Sequence, residues 1–346
     1  MPTNPLLTMA RTLGNPVIEG DIATFIWKGP TAPRLIDDVH NWDEAPQKML
    51  RLGSELWSLS IALPSDAYLE YAFLEPRTGT RIPDPLNPRR VWNGANAYNH
   101  YFYMPKGKPN PLVHPKKGIA RGTVTRHAVP TRDFAVGARR TVYFYRPPVE
   151  VPVPLLFVYD GFEYLHRARI NVIVDNLIAE KCIRPFAMAL VQNGGAARTI
   201  EYSCAESTLG LLMECVLPLA KENLDLEPVK YGGYGVLGAS LGGSMALFTA
   251  LRLPRVFRKV LSQSGAFIAP DYQFDVVDMV RYFPRPEIDI WMDAGLLEWL
   301  LDGNRQMHAL LKEKMYRVKY REFSGGHNFT AWRDDIRHGL ESLYSK

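Results

Sequence analysis

Apolar residues along the chain follow two rhythms. Over residues 17–104 they come in short runs broken by turn residues. Residues 22–27 (IATFIW) and 56–63 (LWSLSIAL) have the apolar and aromatic enrichment of strands. Residues 68–74 (YLEYAFL) alternate and then meet the turn Pro76-Arg77-Thr78-Gly79. This spacing predicts an antiparallel β-sandwich of immunoglobulin-like size. After Val151 the runs become almost wholly apolar: 155–159 (LLFVY), 186–191 (FAMALV), 234–237 (YGVL), 260–262 and 288–292. Such runs suit strands buried on both faces. Residues 170–181 and 209–223, which lie between them, have helical spacing. Alternation of strand and helix predicts a parallel sheet with helices on both sides. The expected layout is α/β: a β-sandwich domain over 1–110 and a catalytic α/β domain over 111–346.

The four tryptophans of the first region, Trp27, Trp42, Trp57 and Trp92, either fill a small core or form a sugar-stacking platform. With 47% hydrophobic and 22% charged residues, the 346-residue chain excludes disorder or a coiled-coil rod as its main state. The net charge of +5 is local. Residues 105–146 hold ten Lys and Arg against Asp133 alone, which is +9 and leaves −4 for the rest. That run either attracts an anionic substrate or is the solvated surface of a linker and a hairpin, with strands over 122–130 and 139–146. Cys182, Cys204 and Cys215 have no paired spacing, so small buried thiols in a reducing compartment are expected. No signal-like N-terminal run and no membrane-length apolar stretch is present, so the cytoplasm is expected, with neither nucleic acid nor membrane as partner.

Candidate chemistry begins at Gly238-Ala239-Ser240-Leu241-Gly242, a G-x-S-x-G run. An apolar strand enters it and a helix-like segment, 241–253, leaves it. That context is what the motif needs, because a sharp strand-to-helix turn lifts the serine hydroxyl above the sheet. Ser240 is therefore the expected nucleophile. A serine hydroxyl needs a base, and the chain order in an α/β-hydrolase is serine, acid, histidine. Of the histidines after Ser240, His308 and His338 sit in charged helical text. His327 follows a strand over 316–323 and the turn Ser324-Gly325-Gly326, and is the expected general base. The acid should follow the strand 288–292, where Glu298 is favoured over Asp302 and Asp293. Two backbone amides are expected to form the oxyanion hole: that of Leu241, and that of Phe162 after Tyr159-Asp160-Gly161. The alternative for the latter is an ordinary Asp-Gly turn.

These residues resemble the enterochelin esterases, siderophore esterases among the esterase D-like α/β-hydrolases. Ile82-Pro83-Asp84-Pro85-Leu86-Asn87-Pro88 with Trp92 is similar to a signature of that family's first domain. In the second domain the similar segments are Tyr159-Asp160-Gly161, Arg198 with Glu201, 238–243, 261–265, Asp293-Ala294-Gly295 with Glu298, and Gly325-Gly326-His327 with Trp332-Arg333. The resemblance implies an α/β-hydrolase with an N-terminal immunoglobulin-like (E-set) domain that shapes substrate access. It also implies a Ser240–His327–Glu298 triad and no metal or organic cofactor. Arg198, Gly161 and Trp332 are the expected substrate contacts, with an ion pair to Glu201 as the other role open to Arg198. The implied activity is hydrolysis of a small-molecule ester, an iron-siderophore or an aromatic one; a homodimer is the assembly considered. A general short-chain carboxylesterase and a feruloyl or acetyl-xylan esterase are the neighbouring readings. An acyltransferase, and a glycan-binding protein with a silent triad, are the readings of another class.

Overall fold

The computed structural model describes residues 4–94, 97–269 and 271–345. It divides into two compact units. The first is Met1–Pro109 with Gly295–Trp299 and Ser324–Ala331; the second is Asn110–Ala294, Leu300–Phe323 and Trp332–Lys346.

In the first unit, a four-stranded antiparallel sheet has the order Val17–Glu19, Ile22–Lys28, Leu56–Ala62, Leu50–Gly53. A second sheet runs Gln47–Lys48, Arg34–Asp37, Tyr68–Leu74, Tyr98–Tyr103, Arg90–Trp92. Phe25, Leu35, Leu69, Tyr71, Phe73 and Phe102 belong to one buried cluster. Phe25 meets Tyr71 edge-on with ring centroids 4.8 Å apart, the geometry that aromatic quadrupoles favour. Trp27 and Trp57 pack against this cluster. Trp42 packs on Ile36, Ala72 and Leu74. Only Trp92 of the four is exposed, against Tyr98. The core role therefore accounts for three of them.

The strand Tyr68–Leu74 departs from its sequence pattern. Alternation predicts one wet face, yet all seven residues are buried. Leu69, Tyr71 and Phe73 enter the core. On the other face, Tyr68 and Glu70 lie beneath Ser324–Ala331, where the Tyr68 N–H donates to the Ser324 carbonyl at 2.9 Å.

The second unit is built on a sheet of eight strands: β1 (Thr123–Pro130), β2 (Arg139–Arg146), β3 (Leu155–Val158), β4 (Ala187–Val191), β5 (Tyr234–Ala239), β6 (Phe257–Gln263), β7 (Asp289–Gly295) and β8 (Arg317–Phe323). Their order is β1-β2-β4-β3-β5-β6-β7-β8, an α/β-hydrolase sheet. β1 and β2 form the expected antiparallel hairpin, and β4, β3, β5, β6 and β7 pair in parallel. The chain returns between parallel strands through helices that include α1 (Gly161–His166), α2 (Ile170–Ala179), α3 (Leu241–Arg252), α4 (Asp275–Tyr282) and α5 (Leu301–Glu313); α6 (Phe329–Tyr344) follows β8.

The helix expected over 209–223 is interrupted. A wide π turn, Leu211–Val216, separates Glu206–Gly210 from Leu217–Asn223. Pro218 supplies the reason: it has no N–H for the carbonyl one turn earlier, so the ladder widens before it. Among the described residues, no single helix is long and apolar enough to cross a membrane. Cys204 and Cys215 are buried, and Cys182 is partly exposed.

The basic run 105–146 is not one patch. Lys116 pairs with Glu180, and Arg146 donates to the Asn223 carbonyl at 2.7 Å. Arg140 is buried and grips Glu201 with two hydrogen bonds of 2.6 and 2.8 Å. Removing one partner of a buried pair strands the other's charge, so Arg140→Met should lower stability by about 3–5 kcal/mol in urea unfolding. Arg140→Met with Glu201→Met should cost clearly less. Equal losses in the single and double variants would contradict this account.

Candidate active site

The strand–turn–helix around Ser240 is built as its motif predicts. Ser240 has φ 58° and ψ −126°, a conformation that L residues rarely adopt. Its N–H donates to the Gln263 carbonyl at 2.9 Å, and its carbonyl accepts from Gly243, Ser244 and Ala266. Four backbone hydrogen bonds thus hold the strained turn. A Cβ on Gly238 would overlap the Gly242 carbonyl, so the strand and helix can meet only without side chains there.

The neighbouring turn leaves β3, whose Val158 pairs with Leu237 of β5. Asp160 is left-handed, with φ 50° and ψ 43°, and opens α1. The amides of Phe162 and Leu241 both stand in the first turn of a helix, α1 and α3, where backbone N–H groups have no intrahelical acceptor. Arg198 holds Asp160 from below with two hydrogen bonds of 2.7 Å, and also reaches the Ala239 carbonyl at 3.4 Å. Asn193 donates to the same carboxylate at 2.6 Å, and the Tyr202 hydroxyl accepts from the Asp160 N–H at 3.1 Å. Burial disfavours the charged form of Arg198, yet attraction and hydrogen bonding to Asp160 raise its pKa above the ordinary guanidinium value. Burial, and then the Asp160 charge, raise Glu163.

The candidate acid and base, Glu298 and His327, stand in the first unit. His327 Nδ1–H donates to Glu298 Oε2 at 2.7 Å, and Glu298 Oε1 accepts from the Gly295 N–H at 3.0 Å. With Nδ1 carrying the proton, Nε2 is the acceptor nitrogen, the tautomer a general base needs. The Glu298 side chain is fully buried and His327 is 11% exposed. Trp299 lies against the imidazole with centroids 4.4 Å apart, and is 44% exposed.

The other acid candidates are occupied elsewhere. Asp293 is buried and accepts from the Trp291 indole at 2.9 Å. Asp302 projects from α5 with 83% of its side chain exposed and pairs with Arg305. His308 packs on Tyr320, and His338 lies 3.9 Å from Asp335.

The three expected substrate contacts each have a partner within the protein. Arg198 is bound to Asp160, and Glu201 belongs to Arg140, so the ion pair expected between Arg198 and Glu201 is not formed. Gly161 is buried, and a Cβ there would overlap the Leu190 backbone; it permits close packing of α1 on β4. Trp332 is 4% exposed and donates its indole N–H to Ser264 Oγ at 2.8 Å, which makes it a support for the loop after β6. Sequence reasoning missed Asp160 as a positioning carboxylate and Trp299 as an aromatic neighbour of the base. The signal for Asp160 was an acid directly before the glycine of the oxyanion turn.

Residues 135–343 match the Esterase family ("Putative esterase"). The chain belongs to this family. It is a carboxylic ester hydrolase, and the resemblance to enterochelin esterases is borne out. The Iron(III) enterobactin esterase of Dickeya dadantii is 22% identical over 96% of this chain and 90% of that protein. The crystal structure of ferric enterobactin esterase from Salmonella typhimurium, 21% identical, superposes with a TM-score of 0.77 over 93% of each chain. A ferulic acid esterase from Anaeromyces mucronatus reaches 0.55 at 15% identity, over 69% of this chain and 96% of that one.

Removing the Arg198 clamp frees the turn that carries the Phe162 amide. Arg198→Ala should lower kcat by about 10- to 100-fold with a small change in KM. Arg198→Lys should recover little, because a lysine cannot grip both carboxylate oxygens. Steady-state kinetics on a chromogenic ester check this; an unchanged kcat in Arg198→Ala would overturn it.

Proposed function

We propose that this esterase cleaves the ester bonds of a catecholate siderophore through an acyl-enzyme on Ser240. The observation that carries the chemistry is the buried Glu298–His327 pair, in an esterase whose strained turn presents Ser240. Ser240 Oγ attacks the ester carbonyl carbon while its proton passes to His327 Nε2. The Leu241 and Phe162 amides stabilise the oxyanion. Glu298 holds the imidazole tautomer and stabilises the imidazolium. The tetrahedral intermediate collapses, the alcohol leaves with the proton from His327, and Ser240 keeps the acyl group. Water, giving its proton to His327, then attacks the acyl carbon; collapse expels Ser240, which recovers that proton. The free thiols fit a reducing compartment, and the cytoplasm is the proposed location.

Two observations support a catecholate over a short aliphatic ester. The matches to enterobactin esterases include the first unit, whereas the ferulic acid esterase match covers only 69% of the chain. The half-exposed Trp299 beside His327 offers a flat apolar face to an aromatic ring. That same face favours a second reading, an aromatic ester of the feruloyl type.

The test is hydrolysis of p-nitrophenyl acetate and butyrate, methyl ferulate and an iron-loaded catecholate trilactone. The trilactone should be turned over fastest, and Ser240→Ala should lose about 10⁴-fold or more while staying folded. Retained turnover in Ser240→Ala would overturn the mechanism, and inertness toward the trilactone would overturn the substrate. Trp299→Ala should raise KM for the trilactone and methyl ferulate more than for the acetate; a uniform effect across esters would remove Trp299 from recognition.

A further inference from the structure

The loop that carries His327 rests on a carboxyl group of the N-terminal sandwich. Asp38 directly follows the strand Arg34–Asp37 and is 2% exposed. Its Oδ2 accepts from Asn328 Nδ2 at 3.1 Å and from the Glu70 N–H at 2.8 Å, while Oδ1 accepts from Trp42 Nε1 at 3.2 Å. Asn328 turns its other atom to α6, where Oδ1 accepts from the Ala331 N–H at 2.9 Å and caps the helix. On the opposite side of His327, a Cβ on Gly326 would overlap Asp38 Cγ. Asp38 therefore touches the residue before the histidine and the residue after it. The next link reaches the acid: the Gly325 carbonyl accepts from the Leu297 N–H at 3.0 Å, beside Glu298.

We infer that Asp38 is a positioning residue for the esterase reaction: through Asn328 and its contact at Gly326 it holds the His327 loop where Glu298 receives Nδ1–H. The inference rests on the reading of His327 as the general base. Packing alone does not call for a carboxyl here. Asp38 is buried close to the fully buried Asp37 and to Glu70, and a buried carboxyl in such company is costly. An apolar residue of similar size would serve packing better. An apolar residue would leave three donors without their acceptor, the Glu70 N–H, Trp42 Nε1 and Asn328 Nδ2, and of these Asn328 adjoins His327.

The test uses the full chain and four variants. Asn328→Ser keeps an N-cap oxygen and removes the amide donor. Asp38→Ala removes the acceptor, and Asp38→Asn keeps one oxygen for Asn328 and the Glu70 N–H. The fourth combines Asp38→Ala with Asn328→Ser. Asn328→Ser and Asp38→Ala should each lower kcat by about 10- to 100-fold, as small misplacements of a catalytic group do, with KM nearly unchanged. The acid limb of the pH profile of kcat/KM should move in both. The double variant should be no worse than the poorer single one, and Asp38→Asn should recover most of the loss. A lower melting temperature with wild-type kcat and pH profile would overturn the inference, as would additive losses. If Asp38→Ala does not fold, Asn328→Ser decides alone. His327→Ala is run beside them: turnover surviving in it would overturn the reading of the base, an outcome separate from either result for Asp38.

Discussion

Strand β5 and helix α3 approach so closely at Gly238 and Gly242 that no side chain fits between them, and the rest of the catalytic unit follows from that approach. Ser240, between the two, has a positive φ. Such a residue costs of order 1–3 kcal/mol and persists only where its surroundings hold it. Here they do: the Ser240 peptide groups are tied to Gln263, Gly243, Ser244 and Ala266. The turn is thereby tied to both the strand on one side and the helix on the other. The backbone that carries the hydroxyl is held before any substrate arrives.

The residues around the candidate reacting groups are held by buried polar contacts rather than by apolar packing. Asp160 is gripped by Arg198 and Asn193, Glu298 by the Gly295 amide, and Asn328 by Asp38. Each is directional, so each sets an angle as well as a distance. Apolar clusters lie around them but specify position less sharply. This division of labour suits an enzyme that gains rate from preorganised donors and acceptors.

The N-terminal unit has a larger part than its sandwich architecture suggests. The sheet face that carries Tyr68 and Glu70 is buried rather than wet, because it supports the segment Ser324–Ala331. The alternating pattern of 68–74 pointed to solvent on that side. Nothing local to the strand could reveal its cover, which comes from residues about 250 positions later in the chain.

Much of the catalytic unit was legible from sequence because its signals are local. Short apolar runs separated by helical segments mark parallel strands, and a small-residue turn after one of them singles out Ser240 as the candidate nucleophile. His327, the candidate base, stands in the first unit and was singled out by the strand and Gly-Gly turn before it, again a local signal. The acid was narrowed to three candidates, since spacing places a carboxylate near a strand end but does not aim it. Tertiary structure decided what depends on partners distant in sequence. It turned Asp293 toward Trp291, left Asp302 in solvent and gave Glu298 to His327. It gave Arg198 to Asp160, Glu201 to Arg140 and Asn328 to Asp38. The physical reason is common to all of these. A hydrogen bond needs two groups within about 3 Å at a set angle, and for residues far apart in the chain only the completed fold supplies both.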